Sequence, residues 1–108
     1  MTNNDNVREF VNTKVRPAIE KIYAKEEKTI DEFKLRGGLS GYHEDAFIVS
    51  IRFEVFDKFE RPNGAESWIV GYGNNVVTYM IVDPDKVEMK LLDQLLTGGL
   101  KWDGVLHV

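Results

Sequence analysis

Apolar and polar residues alternate along much of the segment from Ala46 to Val82. The odd-numbered residues from 47 to 55 are all apolar, whereas most of the even-numbered residues between them are polar. A period of two is typical of a strand that buries one face. Residues 67–72 place two aromatic side chains and a valine on one face, and residues 76–82 are largely apolar on both faces. The segment therefore predicts three consecutive antiparallel strands.

Turn-forming residues separate these strands. Residues 61–64, Arg-Pro-Asn-Gly, predict a hairpin turn because proline presets a turn angle and Asn-Gly accepts a positive φ. Residues 73–75, Gly-Asn-Asn, predict a second tight turn. The three strands should therefore form a meander.

Helical periodicity flanks the strands on both sides. A long helix is expected from about Asp5 to Arg36, with its apolar residues in one broad stripe and a glycine pair after its end. Pro17 removes a backbone donor, so we expect a kink near this residue. A second helix is expected at 84–97, and Val105–Val108 suits a short terminal strand.

The order of these elements predicts an α+β fold. With 108 residues and 43% hydrophobic content, the chain has the size and composition of one globular domain, residues 1–108. The element order is α-β-β-β-α, with the terminal strand added. We expect a three-stranded antiparallel meander packed on the kinked N-terminal helix and on the second helix.

Several features favour a soluble, cytoplasmic protein. No apolar run approaches the roughly 18 residues that a membrane span requires. The polar start, Met1–Asn6, lacks the basic and apolar parts of a secretory signal. The chain has no cysteine, which excludes disulfides and thiolate sites and favours a reducing compartment. We therefore expect no membrane association.

No set of residues predicts catalysis or metal binding. His43 stands beside Glu44 and Asp45, but adjacent residues on a loop seldom converge on one ion, and no spaced histidine pair accompanies them. The serines lack a nucleophile-elbow motif, and the glycine-rich stretches lack the ending of a P-loop. We expect no catalytic residue, no metal and no cofactor.

Two glutamates interrupt the apolar stripes of the predicted helices. Glu26 falls within the stripe of the first helix, and Glu88 falls within the leucine-rich arc of the second. A buried carboxylate must be neutral or paired, so both are candidates for buried polar groups. Exposure to solvent is the favoured alternative for each, because long side chains often reach the surface.

The sheet has more apolar surface than the predicted helices cover. Its second face keeps apolar residues, and the apolar arc of the second helix is wider than one sheet contact needs. A protein partner or a second copy of the chain would shield this surface. The predicted interaction surface consists of Ile48, Phe56, Trp68, Ile69, Leu92 and Leu96.

Three functions are therefore considered, in order of preference. The first is a small non-enzymatic interaction module, an adaptor, inhibitor or regulator, that also associates with itself. The second is a nucleic-acid-binding module that uses a line of lysines on the first helix: Lys14, Lys21, Lys25 and Lys28. The third is a small ligand-binding or enzymatic domain with a pocket between sheet and helices.

Nucleic acid is the less favoured partner because of charge. The net charge is -4, and the negative balance lies after residue 36, where eleven acidic residues outnumber six basic ones. The element order resembles that of the double-stranded-RNA-binding domain, which implies a basic cluster at the start of the second helix. Here that stretch is Asp83–Glu88, and its acidity argues against such a role.

Overall fold

The structure, a computed structural model, describes residues 3–31, 34–36, 47–86, 89–98 and 101–108. Within this part of the chain, helices lie against both faces of an antiparallel sheet. The α+β class predicted from the sequence is confirmed. The radius of gyration is 13.7 Å, close to the value of about 13 Å for a compact domain of about 100 residues.

The N-terminal helix changes its geometry before Pro17. Helix α1 spans Asn3–Phe10, a π-helical turn spans Val11–Val15, and α2 spans Arg16–Ala24. The N–H of Arg16 bonds the carbonyl of Val11, five residues earlier. This wide turn directly precedes Pro17, which has no N–H to donate. The interruption predicted near Pro17 therefore takes the form of a π-helical turn.

Buried side chains recur at every fourth residue of this helix: Val7, Val11, Val15, Ile19 and Tyr23. In a regular α-helix each step of four residues would drift about 40° around the axis. The wider turns of a π-helix rotate less per residue and offset much of this drift. The π-helical turn therefore keeps the whole row on the face that meets the sheet.

The helix ends at Ala24 and does not continue as predicted. The carbonyl of Tyr23 accepts the N–H groups of both Glu26 and Lys28, each at 2.9 Å. Glu27 adopts a positive φ of 59°, which a continuing helix does not allow. This turn directs the chain toward the edge of the sheet.

Two short strands replace the end of the predicted helix: β1 at Thr29–Ile30 and β2 at Lys34–Arg36. Both pair antiparallel with the same edge of β3, which spans Phe47–Phe56. Three residues separate Ile30 from Lys34 in the sequence, whereas two residues separate their partners on β3, Val55 and Arg52. The registers of β1 and β2 on β3 therefore differ by one residue.

Three further strands complete the sheet: β4 at Pro62–Gly73, β5 at Val76–Val82 and β6 at Gly104–Val105. Strands β3, β4 and β5 form the predicted meander. Strand β6 pairs with β5 and overlaps the predicted terminal strand, Val105–Val108, only at Val105. The sheet is therefore wider than predicted, with five positions in the order β1 and β2, β3, β4, β5, β6.

Of the two predicted hairpin turns, one is confirmed and the other is wrong. Asn74 and Asn75 both have positive φ, so the second predicted turn is confirmed. The first turn lies at 57–60, where the Asp57 carboxylate accepts the N–H groups of Phe59 and Arg61. The predicted turn at 61–64 is wrong, because this carboxylate closes the chain earlier and residues 62–64 belong to β4.

The second helix covers the other face of the sheet. Helix α3 spans Met89–Leu96, after a 3-10 turn at Pro84–Lys86, so it is shorter than the predicted helix at 84–97. Its Leu95 packs on the fully buried Ile69. The neighbours of Ile69 in β4 face the N-terminal helix, and successive strand residues point to opposite faces. The helices therefore lie on opposite faces of the sheet.

Candidate functional site

The predicted interaction surface is largely buried. Trp68 lies under the N-terminal helix, and Ile69 lies under α3, each with an exposed fraction of at most 1%. Ile48 is half-buried beside Ile69, and Phe56 is half-buried as well. The prediction of an exposed surface is wrong at Trp68, which the N-terminal helix covers, and at Ile69, which α3 covers.

The remaining members of the predicted sites lie elsewhere or outside the described residues. Glu26 is exposed in the turn after α2, where a carboxylate oxygen lies 3.4 Å from the Nζ of Lys28. It is therefore a surface group, because the helix ends before it. Glu88 lies outside the described residues, as do the side chains of Leu92 and Leu96.

A buried polar network not predicted from the sequence joins the end of α2 to β4. The Nε1 of Trp68 donates a hydrogen bond of 3.2 Å to the hydroxyl of Tyr23, which itself donates to a carboxylate oxygen of Glu66. Burial, together with the hydrogen bond to Glu66, raises the pKa of Tyr23 well above its usual range. The network anchors the helix on the sheet.

Three exposed apolar side chains gather beside the first part of the N-terminal helix. Among the described residues five large hydrophobic side chains are exposed, and Val76, Val105 and Val108 are three of them. These three line one groove of about 400 Å³ between the N-terminal helix and the β5–β6 side of the sheet. We call it the edge groove. Its principal lining residues are Phe10, Lys14, Tyr72, Val76, Val105 and Val108.

Local structure explains how these residues meet. Phe10 immediately precedes the π-helical turn and Lys14 belongs to it, so the turn sets their positions along the groove. The Asn74–Asn75 turn pairs Val76 with Gly73, the residue after Tyr72, and pairing of Val105 with Thr78 brings in β6. Every part of the lining therefore depends on a described backbone feature.

An aromatic cluster supports one side of the groove. The ring of Phe10 lies 4.8 Å from that of Tyr72 and 5.2 Å from that of Phe47, measured between centroids. The rings of Phe47 and Tyr72 stack at 5.4 Å. Such contacts fix large side chains in place, so the groove has a rigid apolar wall.

The charge of the edge groove differs from that of the chain. Lys14 and His107 line it, and none of its described lining residues is an aspartate or glutamate. The chain as a whole has a net charge of -4. The groove therefore offers an ammonium group beside apolar surface, an arrangement that suits a carboxylate next to an apolar side chain.

The predicted line of lysines is divided in the structure. Lys14 lines the edge groove, whereas Lys21 and Lys28 line a different groove farther along the helix. Lys25 follows the last residue of α2 and is exposed. The four lysines therefore do not form the continuous helical row on which the nucleic-acid hypothesis depends.

Within the described residues, no three histidine, aspartate or glutamate side chains come together as a metal site would require. None of the helices in this part of the chain combines the length and apolar character needed to cross a membrane. Comparisons of the chain with protein-family models, with curated protein sequences and with solved structures give no match.

Proposed function

We propose that the chain is a small, non-enzymatic protein-interaction module that docks an acidic and apolar segment of another protein in the edge groove. The observation that carries this proposal is the gathering of Val76, Val105 and Val108 in one groove. Exposed apolar side chains that cluster, rather than scatter singly, are typical of binding surfaces. An adaptor, inhibitor or regulator in the cytoplasm would work through such a surface.

The charge of the groove supports a partner other than a second copy. A carboxylate on the docked segment would pair with Lys14 while a neighbouring apolar side chain contacts the valines. A second copy related by a two-fold axis that passes through the groove would bring Lys14 towards its own equivalent, which charge repulsion disfavours. Self-association, which the sequence suggests, is therefore the alternative occupant that the experiment must separate.

Nuclear magnetic resonance titration with two capped peptides tests the proposal. One peptide alternates leucine with glutamate, and the other alternates leucine with lysine. We expect the methyl signals of Val76, Val105 and Val108 to shift saturably with the glutamate peptide. The lysine peptide should bind about tenfold more weakly, which corresponds to about 1.4 kcal/mol.

A pair of matched variants locates the site. Val105→Asp and Ile81→Asp each add one carboxylate at an exposed aliphatic residue, with exposed fractions of 51% and 42%. Only Val105 lines the edge groove, so only Val105→Asp should weaken the glutamate peptide, by about tenfold. Equal weakening in both variants, or methyl shifts confined to other surfaces, would contradict the proposal.

Light scattering on the same samples tests whether a second copy of the chain occupies the edge groove. Our assignment predicts the same mass for the unmodified chain and for Val105→Asp. A dimer that Val105→Asp dissociates and Ile81→Asp preserves would assign the edge groove to a second copy instead.

A further inference from the structure

A second groove lies between α2 and β1, on the side of the sheet away from β6. Its volume is about 510 Å³. One wall is a single face of the helix, and the other is the start of the edge strand. We call it the helix-strand groove. Its principal lining residues are Pro17, Glu20, Lys21, Ala24, Lys28 and Ile30.

The backbone of Ile30 faces outward along this groove. Ile30 pairs with Val55, and the N–H of the next residue, Asp31, bonds the carbonyl of Glu54 on β3. In an antiparallel ladder, residues alternate between those that bond the neighbouring strand and those whose N–H and C=O point away. The N–H and C=O of Ile30 therefore point away from β3, and no described strand lies on that side of β1.

The side chain of Ile30 shows where an added strand would place its own side chains. Ile30 lies opposite Val55, which belongs to the core under the N-terminal helix. A residue paired with Ile30 on an added strand would project to this same face. Its side chain would enter the helix-strand groove beside Pro17 and Ala24.

The charged side chains of the helix-strand groove favour particular residues beside the one that pairs with Ile30. Glu20 is held by the Nε of Arg16 at 2.7 Å, whereas Lys21 forms no ion pair with a described residue. Lys28 pairs only at the surface, with Glu26. Residues two positions apart on a strand share a face, so an acidic residue two positions away on the Lys28 side would face the lysines.

We propose that a strand of a partner protein adds antiparallel to β1 in the helix-strand groove, with an apolar residue opposite Ile30 and an acidic residue two positions away on the Lys28 side. Backbone hydrogen bonds supply the affinity of such strand addition, and side-chain pockets supply the specificity. This site is separate from the edge groove. The chain thus has two docking sites at opposite edges of one sheet, which allows it to bridge two partners.

The test uses a capped peptide, Glu-Thr-Val-Thr-Glu, and an analogue with the valine nitrogen methylated. The valine amide is the donor that would bond the carbonyl of Ile30, so the methylated analogue should bind at least about tenfold more weakly. At saturation by the first peptide, amide hydrogen exchange of Ile30 should slow by at least about tenfold. Unchanged exchange at saturation, or equal binding of both peptides, would overturn the proposal.

Two lysine variants separate this site from the edge groove. Lys21→Glu should weaken the Glu-Thr-Val-Thr-Glu peptide by about tenfold, whereas Lys14→Glu should leave the slowing of Ile30 exchange unchanged. Loss of that slowing in Lys14→Glu and its retention in Lys21→Glu would overturn the proposal. If Ile30 is protected while the valines of the edge groove show no response, strand addition stands and the edge-groove proposal fails.

Discussion

Two buried hydroxyl groups have opposite surroundings, and they show how single residues contribute to stability. The hydroxyl of Tyr23 accepts a hydrogen bond from Trp68 and donates one to Glu66. The hydroxyl of Ser50 is fully buried but has no hydrogen-bond partner in the described part of the chain. A buried polar group without a partner retains its full desolvation cost.

Removing each hydroxyl should therefore change the free energy of unfolding in opposite directions. Ser50→Ala is expected to be neutral or to stabilise the protein by up to about 1 kcal/mol. Tyr23→Phe removes one oxygen as well, yet it leaves the indole N–H of Trp68 without its acceptor and should cost about 1–3 kcal/mol. Urea unfolding of the two variants measures both values. A clear loss of stability in Ser50→Ala would show that its hydroxyl is bonded.

The raised pKa of Tyr23 also predicts how stability depends on pH. The unfolded chain loses the phenol proton near its ordinary pKa of about 10, whereas the folded chain retains it. The contribution of Tyr23 is therefore complete below about pH 10 and falls as pH rises further, by up to about 1.4 kcal/mol per unit. The difference in unfolding free energy between the unmodified protein and Tyr23→Phe should therefore become smaller as the pH rises. A constant difference across this range would contradict the prediction.

At the scale of the element, the N-terminal helix depends on its π-helical turn to keep its apolar residues on one face. The π-helical turn keeps five core residues in line although they recur at every fourth position. Asn12 is exposed within that turn. Without it, the same five residues would be spaced by four, three, four and four, which suits a regular α-helix.

Deleting Asn12 should therefore cost little, about 1 kcal/mol or less, because the π-helical turn becomes an ordinary turn with the core face retained. Deleting the exposed Lys21 is the matched control. It would rotate Tyr23 by about 100° away from Trp68 and Glu66 and should cost at least about 3 kcal/mol. Thermal unfolding followed by circular dichroism compares the two deletions. Equal losses of stability in the two deletion variants would show that the π-helical turn does not keep the core residues on one face.

The sequence predicted those elements whose residues have one dominant period. Strand β3 alternates between apolar and mostly polar residues, and the Asn74–Asn75 turn has the residues that its positive φ values favour. The edge strands were missed because Ile30 also fits a helical stripe, and only the turn at Glu27 ends the helix. The π-helical turn was missed although its signal is present in the sequence, as the exact spacing of four between core residues.

At the scale of the whole molecule, the arrangement of layers decides which surfaces remain open. The sequence showed excess apolar surface but not the face on which each helix lies, because amphipathic patterns do not state which partner they cover. With α3 opposite the N-terminal helix, Ile69 is covered by the chain itself. The open apolar surface moves to the margins of the sheet, where a helix passes beside an edge strand. Neither groove was predicted, since the edge groove joins residues far apart in sequence, and the helix-strand groove depends on the turn at Glu27 that ends the helix.

The most direct test of the account is a charge exchange at Lys14, measured by titration calorimetry with the two leucine peptides. The unmodified protein should prefer the glutamate peptide by about tenfold, and Lys14→Glu should reverse this preference in favour of the lysine peptide. Lys21→Glu, which changes the same charge two turns along the helix and outside the edge groove, should keep the original preference. The same preference in the unmodified protein and in Lys14→Glu would contradict the claim that the edge groove binds an acidic segment.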